Sequence, residues 1–235
     1  MHYIALSIKS DRSDGFTLIE LTIVLVIVSL LAGGFIMSIG ARIDQRNVSD
    51  TQQQLQEVCD ALLGYAASHS SADGKPHLPC PDTDGDGLEN RTGFNCTNVD
   101  GLLPWSDLGL ARQDAWSNRF RYHAHPNFAR TDVGFTLTTS ANLRVCDQAA
   151  CTSTLATNLP AVIVSHGKNG LGATNSGNTP NTAPISADEL ENTNSDANFV
   201  SHTPTPAGAN EFDDLVVWLS PNILYNRMIA AGRLP

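Results

Sequence analysis

The chain has 235 residues, with 14 Lys and Arg against 24 Asp and Glu, a formal net charge of −10 at pH 7. This acidic balance, without a basic patch, argues against nucleic acid or another polyanion as a partner and suits divalent cations. The length allows one soluble domain of ordinary size beside a membrane segment, and the sequence contains no internal repeat.

The first predicted element is an apolar run at residues 15–34, GFTLIELTIVLVIVSLLAGG. Over residues 16–41 the only charged side chain is that of Glu20, and a helix of this length, about 39 Å, spans a bilayer. A carboxylate at membrane depth costs about 2.5–3.5 kcal/mol, so Glu20 needs a partner. The polar stretch KSDRSDG precedes the run, and an ordinary secretory signal or a plain uncleaved anchor remain the alternatives.

Residues 42–71 are the second predicted element, an amphipathic helix that continues the first. This stretch lacks proline, and its apolar residues recur at helical spacing. They are Val48, Leu55, Val58 or Cys59, Leu62 and Ala66. The apolar face of such a helix needs a cover, which a globular head at residues 72–235 would supply.

The head reads as short β-strands followed by a helix, so the predicted fold class is α+β with an antiparallel sheet. The candidate strands are Arg119–His123, Gly134–Thr139, Leu143–Cys146, Ala161–Ser165 and Leu215–Leu219. Ser220 and Pro221 predict the start of a final helix over Asn222–Ala231, with Gly232 beyond its end. The tract Gly172–Asn210, rich in Asn, Thr, Ser, Ala and Pro, is predicted to be mostly loop.

An acidic stretch, CPDTDGDGLEN, places Asp82, Asp84 and Asp86 at alternate positions before Gly87. Calcium-binding loops of the EF-hand type use this spacing, and Asn90 would continue the series. The glutamate expected at the twelfth position is replaced by glycine, which excludes a complete EF-hand. The stretch is therefore either a partial calcium loop or a pair of metal-free Asp-Gly turns.

Five cysteines fit export to an oxidising compartment, with two disulfides and one odd thiol. The predicted pairs are Cys80 with Cys96 and Cys146 with Cys151. Cys59, on the amphipathic helix, is expected to be a small buried apolar residue. No C-x-x-C pair occurs, so zinc is not expected.

Catalysis finds little support in the sequence. Ser165 and His166 are neighbours, but adjacent strand residues point to opposite faces, and the chain has no G-x-S-x-G elbow. We expect His166 to be a strand-end or loop residue with a local hydrogen bond, and the protein not to be an enzyme.

The N-terminal residues Lys9, Arg12, Gly15 and Phe16-Thr-Leu-Ile-Glu20 resemble the leader and mature start of type IV pilins and type II secretion pseudopilins. The resemblance implies that prepilin peptidase removes residues 1–15 by cutting after Gly15, and methylates the new N-terminal Phe16. It also implies that Glu20 meets the Phe16 amine of a neighbouring subunit during filament assembly.

Segments of the head are similar to motifs of major pseudopilins. These segments are DAWSNRFRY at 114–122, SHGKNG at 165–170 and DLVVW at 214–218. In that family the loop between the last two motifs binds calcium, which implies Asn169 and Asp214 as ligands here. Further ligands, among Glu189, Glu191 and Asp213, are guesses, and the alternative is an Asp pair that merely caps a strand.

The resemblance implies a structural subunit of a type IV pilus or type II secretion pseudopilus. Residues 16–41 would be the membrane and filament-core helix, with the head in the periplasm. Its partners would be other pilin subunits, the peptidase/methyltransferase and the inner-membrane assembly platform. The alternative is a minor tip pilin acting as a calcium-dependent adhesin or binding module, and the length of the chain favours a minor subunit.

Overall fold

The computed structural model describes residue 15 and residues 17–235, without the side chains of residues 32–39. This part of the chain is a mixed α and β structure, as the sequence predicts. The helices are α1 (Leu18–Ser68), α2 (Trp105–Leu108), α3 (Pro126–Ala129), α4 (Ala187–Glu191) and α5 (Pro221–Ala230). The strands are β1 (Arg91–Thr92), β2 (Asn95–Cys96), β3 (Asp100–Leu102), β4 (Arg121–Ala124), β5 (Leu143–Cys146), β6 (Thr154–Leu159), β7 (Ala161–Ser165), β8 (Asn198–Val200) and β9 (Leu215–Leu219).

The chain divides into two compact units, of which the first ends at Asp44. In this unit α1 begins with a capping box. Oε2 of Glu20 accepts the backbone N–H of Thr17 at 3.0 Å, and the Thr17 hydroxyl accepts the N–H of Glu20 at 3.3 Å. Large apolar side chains from Leu18 to Leu31 are exposed along the helix. Within the described residues, no helix meets the length and hydropathy needed to cross a membrane.

The second unit comprises Gln45–Pro235. Here the C-terminal part of α1 buries one face at the positions that helical spacing selects, Leu55, Val58, Leu62 and Ala66. Helix α1 ends at Ser68, three residues before the predicted end at residue 71. Its buried face joins the larger of two hydrophobic clusters in this unit.

The main sheet has the strand order β3-β4-β7-β9, and every pair in it is antiparallel. All five residues of β7 are buried. Because alternate side chains of a strand face opposite sides, Ala161 and Ile163 pack into the cluster with α1, while Val162 and Val164 pack into the second cluster. The sheet is therefore the layer between two cores.

A second sheet has the order β6-β5-β8. Its strand β8, which was not among the predicted strands, pairs with β5 in parallel. The tract 172–210 is mostly loop, as predicted, and contains the short elements α4 and β8. This tract lets the chain cross back, and the burial of Phe199 and Val200 holds β8 against β5 despite the polar composition around them.

The predicted strand at 134–139 is wrong. Its backbone groups find other partners, because Phe135 N–H donates to the carbonyl of Pro76 at 3.0 Å and Thr136 N–H donates to the Thr139 hydroxyl at 2.8 Å. Local threonine bonds of this kind compete with a strand ladder. The other predicted strands are present; β4 starts two residues later than predicted, at Arg121.

The final helix α5 begins at Pro221 and ends at Ala230, close to the predicted bounds. Proline occupies its first position, where the missing N–H costs nothing. Gly232, with φ of +67°, follows the helix in the left-handed conformation that glycine accepts readily. Leu224 and Met228 bury one face of α5 in the larger cluster.

Candidate functional site

The first acidic loop is organised around Asp82, which is fully buried. Its Oδ1 accepts the N–H groups of Asp84 at 3.1 Å and Gly85 at 2.6 Å, and its Oδ2 accepts that of Gly87 at 2.8 Å. The guanidinium of Arg119, itself buried, lies 3.5 Å from Oδ2. Asp82 therefore has both a counter-charge and hydrogen bonds from the backbone of its own loop.

Asp84 and Asp86 of this loop are exposed, and each accepts the backbone N–H two residues later. The carboxylates of Asp82, Asp84 and Asp86 come within 4.8 Å of one another. Asn90 belongs to the same network, because its Nδ2 donates to Oδ2 of Asp84 at 3.5 Å and its Oδ1 accepts both the N–H and the hydroxyl of Thr83. The loop thus gathers three of its predicted ligands, but the pairing of Asp82 with an arginine makes it a poor fit for a cation.

A second acidic cluster fits a cation better. Glu189 of α4 and the pair Asp213 and Asp214, just before β9, place ligand oxygens within 4.8 Å of one another. Glu189 is 1% exposed and Asp214 3% exposed. Burial, reinforced by neighbouring carboxylates, raises the pKa of Glu189 to about 7 and that of Asp213 to about 6.

Asn169 tightens this cluster by donating hydrogen bonds into it. Its amide Nδ2 donates to Oε1 of Glu189 at 3.1 Å, and its backbone N–H donates to Oδ2 of Asp213 at 2.8 Å. Its own Oδ1 accepts the N–H of Leu171. The structure therefore places Asn169 beside the cluster, with its side-chain nitrogen towards Glu189.

Two carboxylate oxygens of the cluster lack a hydrogen bond within the described residues, Oδ1 of Asp213 and Oδ1 of Asp214. The nearest basic group to Asp214 Oδ1 is the imidazole Nδ1 of His166, at 3.4 Å. A buried carboxylate oxygen without a donor is costly. These two oxygens, together with the Glu189 carboxylate, which accepts hydrogen bonds from Asn169 and Asp213, make a donor set of the type that calcium takes.

The SHGKNG segment, residues 165–170, passes so close to Asp213 that position 167 must be glycine. Gly167 has φ of +57°, and a Cβ built there would lie 2.3 Å from the carbonyl oxygen and from Oδ1 of Asp213. A side chain at this position would push the SHGKNG segment away from the cluster. The glycine therefore allows Asn169 to reach both of its acceptors.

Of the three guessed ligands, the structure brings Glu189 and Asp213 to Asp214, whereas Glu191 accepts a hydrogen bond from Asn194 outside the cluster. Glu189 lies on α4, a helix that was not predicted from the sequence. Glu189 was therefore a candidate ligand only because it is acidic and lies between Asn169 and Asp214 in the sequence. The adjacent pair Asp213-Asp214 before an apolar strand was the readable signal.

Ser165 and His166 are both buried and do not form a nucleophile and base pair. The Ser165 hydroxyl donates to Oδ2 of Asp114 at 2.7 Å, while His166 faces Asp214. Asp114 also accepts the N–H groups of Trp116 and Asn118. This carboxylate thus organises the DAWSN turn, and burial raises its pKa.

The structure contains the two predicted disulfides. Cys80 and Cys96 are bonded, as are Cys146 and Cys151, with sequence separations of 16 and 5. Cys59 is a free, buried cysteine on α1. Burial raises the pKa of its thiol to about 11, which suppresses the reactive thiolate at neutral pH.

The N-terminal residues Gly15 and Glu20 are exposed, whereas Phe16 lies outside the described residues. A family model for the prokaryotic N-terminal methylation motif matches residues 11–36. Comparisons with curated proteins and with solved structures gave no significant match. The match covers the predicted cleavage position, Phe16 and Glu20 together. The chain therefore carries, at residues 11–36, the signature of type IV pilin and pseudopilin precursors.

Proposed function

We propose that the protein is a non-enzymatic structural subunit of a type IV pilus or a type II secretion pseudopilus. The methylation motif at residues 11–36 carries this proposal. In it, Gly15 marks the cut by prepilin peptidase and Phe16 becomes the methylated N-terminus. The partners are then the peptidase/methyltransferase, the inner-membrane assembly platform and other pilin subunits.

Before assembly the precursor would lie in the inner membrane with its head in the periplasm. The exposed apolar side chains of α1 between Leu18 and Leu31 support an apolar surrounding for this part of the helix. In a filament, periplasmic or on the cell surface, the same side chains would pack against other subunits. The two disulfides support an oxidising compartment for the head.

Processing gives the most direct test of this proposal. Intact-mass analysis and N-terminal fragmentation of the mature protein should show Phe16 as the first residue with one added methyl group. A Gly15→Ala precursor is expected to stay uncut in the membrane fraction. A mature N-terminus near residue 33, which ordinary signal cleavage would give, would refute the pilin reading.

We further propose that Glu189, Asp213 and Asp214 hold calcium. A bound calcium ion would offset two negative charges among the three buried carboxyl groups, and so would join α4 to the start of β9. The oxygens of Asp213 and Asp214 that accept no hydrogen bond support this proposal over one placing calcium at Asp82. Asp82 faces the permanently charged Arg119, whereas His166, beside Asp214, is charged only when protonated. Asp84, Asp86 and Asn90 are then turn residues.

A minor tip subunit with a calcium-dependent binding surface is the second candidate function. The acidic cluster favours it, because Glu189 belongs to the tract 172–210 and calcium there would hold α4, within that tract, to the start of β9. Abundance separates the candidates, since a major subunit is abundant along sheared filaments and a tip subunit is scarce. Immunogold labelling of filaments measures this difference directly.

A further inference from the structure

Asn192 connects the two elements that carry the acidic cluster. It is fully buried and caps the C-terminal end of α4, where its backbone N–H donates to the carbonyl of Glu189 at 3.1 Å. Its amide Nδ2 donates to Oδ2 of Asp214 at 2.8 Å. One residue therefore touches both Glu189 on α4 and Asp214 at the start of β9.

The remaining contacts fix the orientation of the Asn192 amide. Its Oδ1 accepts the N–H of Val200 at 2.8 Å, and its Nδ2 also donates to the carbonyl of Val200 at 3.0 Å. This pairing with a strand backbone defines which end of the amide is the donor. Nη1 of Arg121 donates to the backbone carbonyl of Asn192 at 3.1 Å and ties the segment to the main sheet.

The two carboxylate oxygens of Asp214 therefore have different surroundings. Oδ2 accepts the Asn192 amide, whereas Oδ1 has no hydrogen bond within the described residues and faces the imidazole Nδ1 of His166 at 3.4 Å. The side chain of Asp214 is fully buried, so solvent does not reach Oδ1 either. The fixed amide thus determines which oxygen of Asp214 is left for a ligand.

We propose that Asn192 is a positioning residue for calcium: it holds Oδ2 of Asp214 and the C-terminal end of α4, so that Asp214 Oδ1 and the Glu189 carboxylate are presented together to the cation. This inference rests on the proposed calcium binding by Glu189, Asp213 and Asp214. Asn192 does not itself need to touch the ion.

The substitution Asn192→Asp separates this role from a simple contribution of charge. It keeps the size of the side chain but replaces the donating amide by a carboxylate, which faces Oδ2 of Asp214 and the carbonyl of Val200. If proximity to the cluster were all that mattered, an added carboxylate would tighten calcium binding. If the donated hydrogen bond positions Asp214, the same change weakens binding.

Asn194→Asp is the matched control, because it makes the same chemical change two residues later. The Asn194 amide also donates to a carboxylate, that of Glu191 at 3.0 Å, which is not part of the cluster. Both variants therefore add one negative charge and remove one amide-to-carboxylate bond from the same segment. Only the change at Asn192 affects Asp214.

The test is calcium titration by isothermal calorimetry on the full-length protein in detergent, with calcium-free melting of each variant in parallel. We expect Asn192→Asp to weaken calcium binding at least about tenfold and Asn194→Asp to change it by less than about threefold. A merely structural role would lower the calcium-free melting temperature and leave the affinity of the folded protein unchanged. Equal or tighter binding by folded Asn192→Asp would overturn the inference.

A second variant and the wild-type protein cover the remaining outcomes of the titration. If Asn192→Asp does not fold, Asn192→Ser, which stays neutral but replaces the amide by a shorter side chain with a single donor, is titrated instead and is expected to weaken binding by several-fold. Wild-type affinity in that variant would also overturn the inference. If the wild-type protein binds no calcium, the proposed calcium function fails, and the positioning role fails with it.

Discussion

Without calcium, the melting temperature of the protein should fall as the pH rises from about 5 to about 8, and saturating calcium should remove this dependence. Folding raises the pKa of Glu189 from 4.5 to about 7 and that of Asp213 from 3.8 to about 6. A carboxyl group with a raised pKa in the folded state contributes stability that is complete below its unfolded pKa. That contribution is lost as the pH rises through the folded pKa, because the buried groups must then ionise.

We expect a fall on the order of 5 °C for the calcium-free protein across this pH range. Differential scanning calorimetry of the full-length protein in detergent, with chelator or with calcium, measures it. Glu189→Gln should make the calcium-free profile shallower, since Asp213 still titrates, and should abolish the calcium response. Asp84→Asn, in the other acidic loop, is the control and should preserve both.

A calcium-free melting temperature that falls no more steeply with pH in the wild type than in Glu189→Gln would contradict the assigned protonation of the cluster. The lowered pKa values of His77 and His125, which make stability rise with pH, are common to both proteins. A calcium response lost in Asp84→Asn and retained in Glu189→Gln would move the cation to the first acidic loop. The two loops are thereby distinguished by one pair of variants. The pH profile is informative even where calcium binding is weak.

Replacing Glu20 should leave processing and membrane insertion intact and reduce incorporation into filaments at least about tenfold. The proposed cleavage after Gly15 would create an ammonium on Phe16, which would need a counter-charge in an apolar surrounding. By the pilin resemblance, that counter-charge is Glu20 of a neighbouring subunit. Blots of sheared filaments and of membranes, compared for wild type and Glu20→Ala, give the ratio.

A second variant is needed because Glu20→Ala removes both the charge and the helix cap, in which Glu20 accepts the N–H of Thr17. Glutamine retains this cap but loses the charge. Glu20→Gln should therefore fail in assembly like Glu20→Ala if the charge is what filaments require. Ser29→Ala, which removes only a hydrogen bond to the carbonyl of Val26, serves as the neutral control. Normal assembly of Glu20→Gln would assign the residue to helix capping instead.

Strong local patterns made much of the head predictable. Strands β5, β7 and β9 were predicted with their exact bounds, because each is a short run of apolar residues bounded by turn formers. Strand β8 and helix α4 were missed because they are three and five residues long, and polar sequence surrounds them. Tertiary burial of Phe199 and Val200, which the sequence does not display, creates β8.

Some residues of the candidate site were predictable from local sequence patterns, and others were not. Asp214 and Asn169 were predicted as ligands from motifs, and the structure places both at the acidic cluster, where the Asn169 side chain donates to Glu189. The spacing of Asp82, Asp84 and Asp86 predicted a loop, with calcium or with metal-free turns, but it gave no sign of Arg119, which pairs with Asp82 and is distant in sequence. Such long-range ion pairs leave no periodic signal. The Thr17–Glu20 cap, by contrast, was readable as T-x-x-E.

The parallel pairing of β8 with β5 also bears on the order in which the head folds. Val145 pairs with Phe199, so β6, β7 and α4 must all be traversed before this contact closes. Contacts between residues so far apart in sequence form slowly, because the entropy of loop closure must be overcome before any contact compensates for it. We expect β8 to dock late, after β7 has joined the main sheet. Val200 on β8 holds the amide of Asn192, so the proposed calcium affinity should appear only at the end of folding. A newly exported subunit would then differ from one ready for assembly in whether it binds calcium.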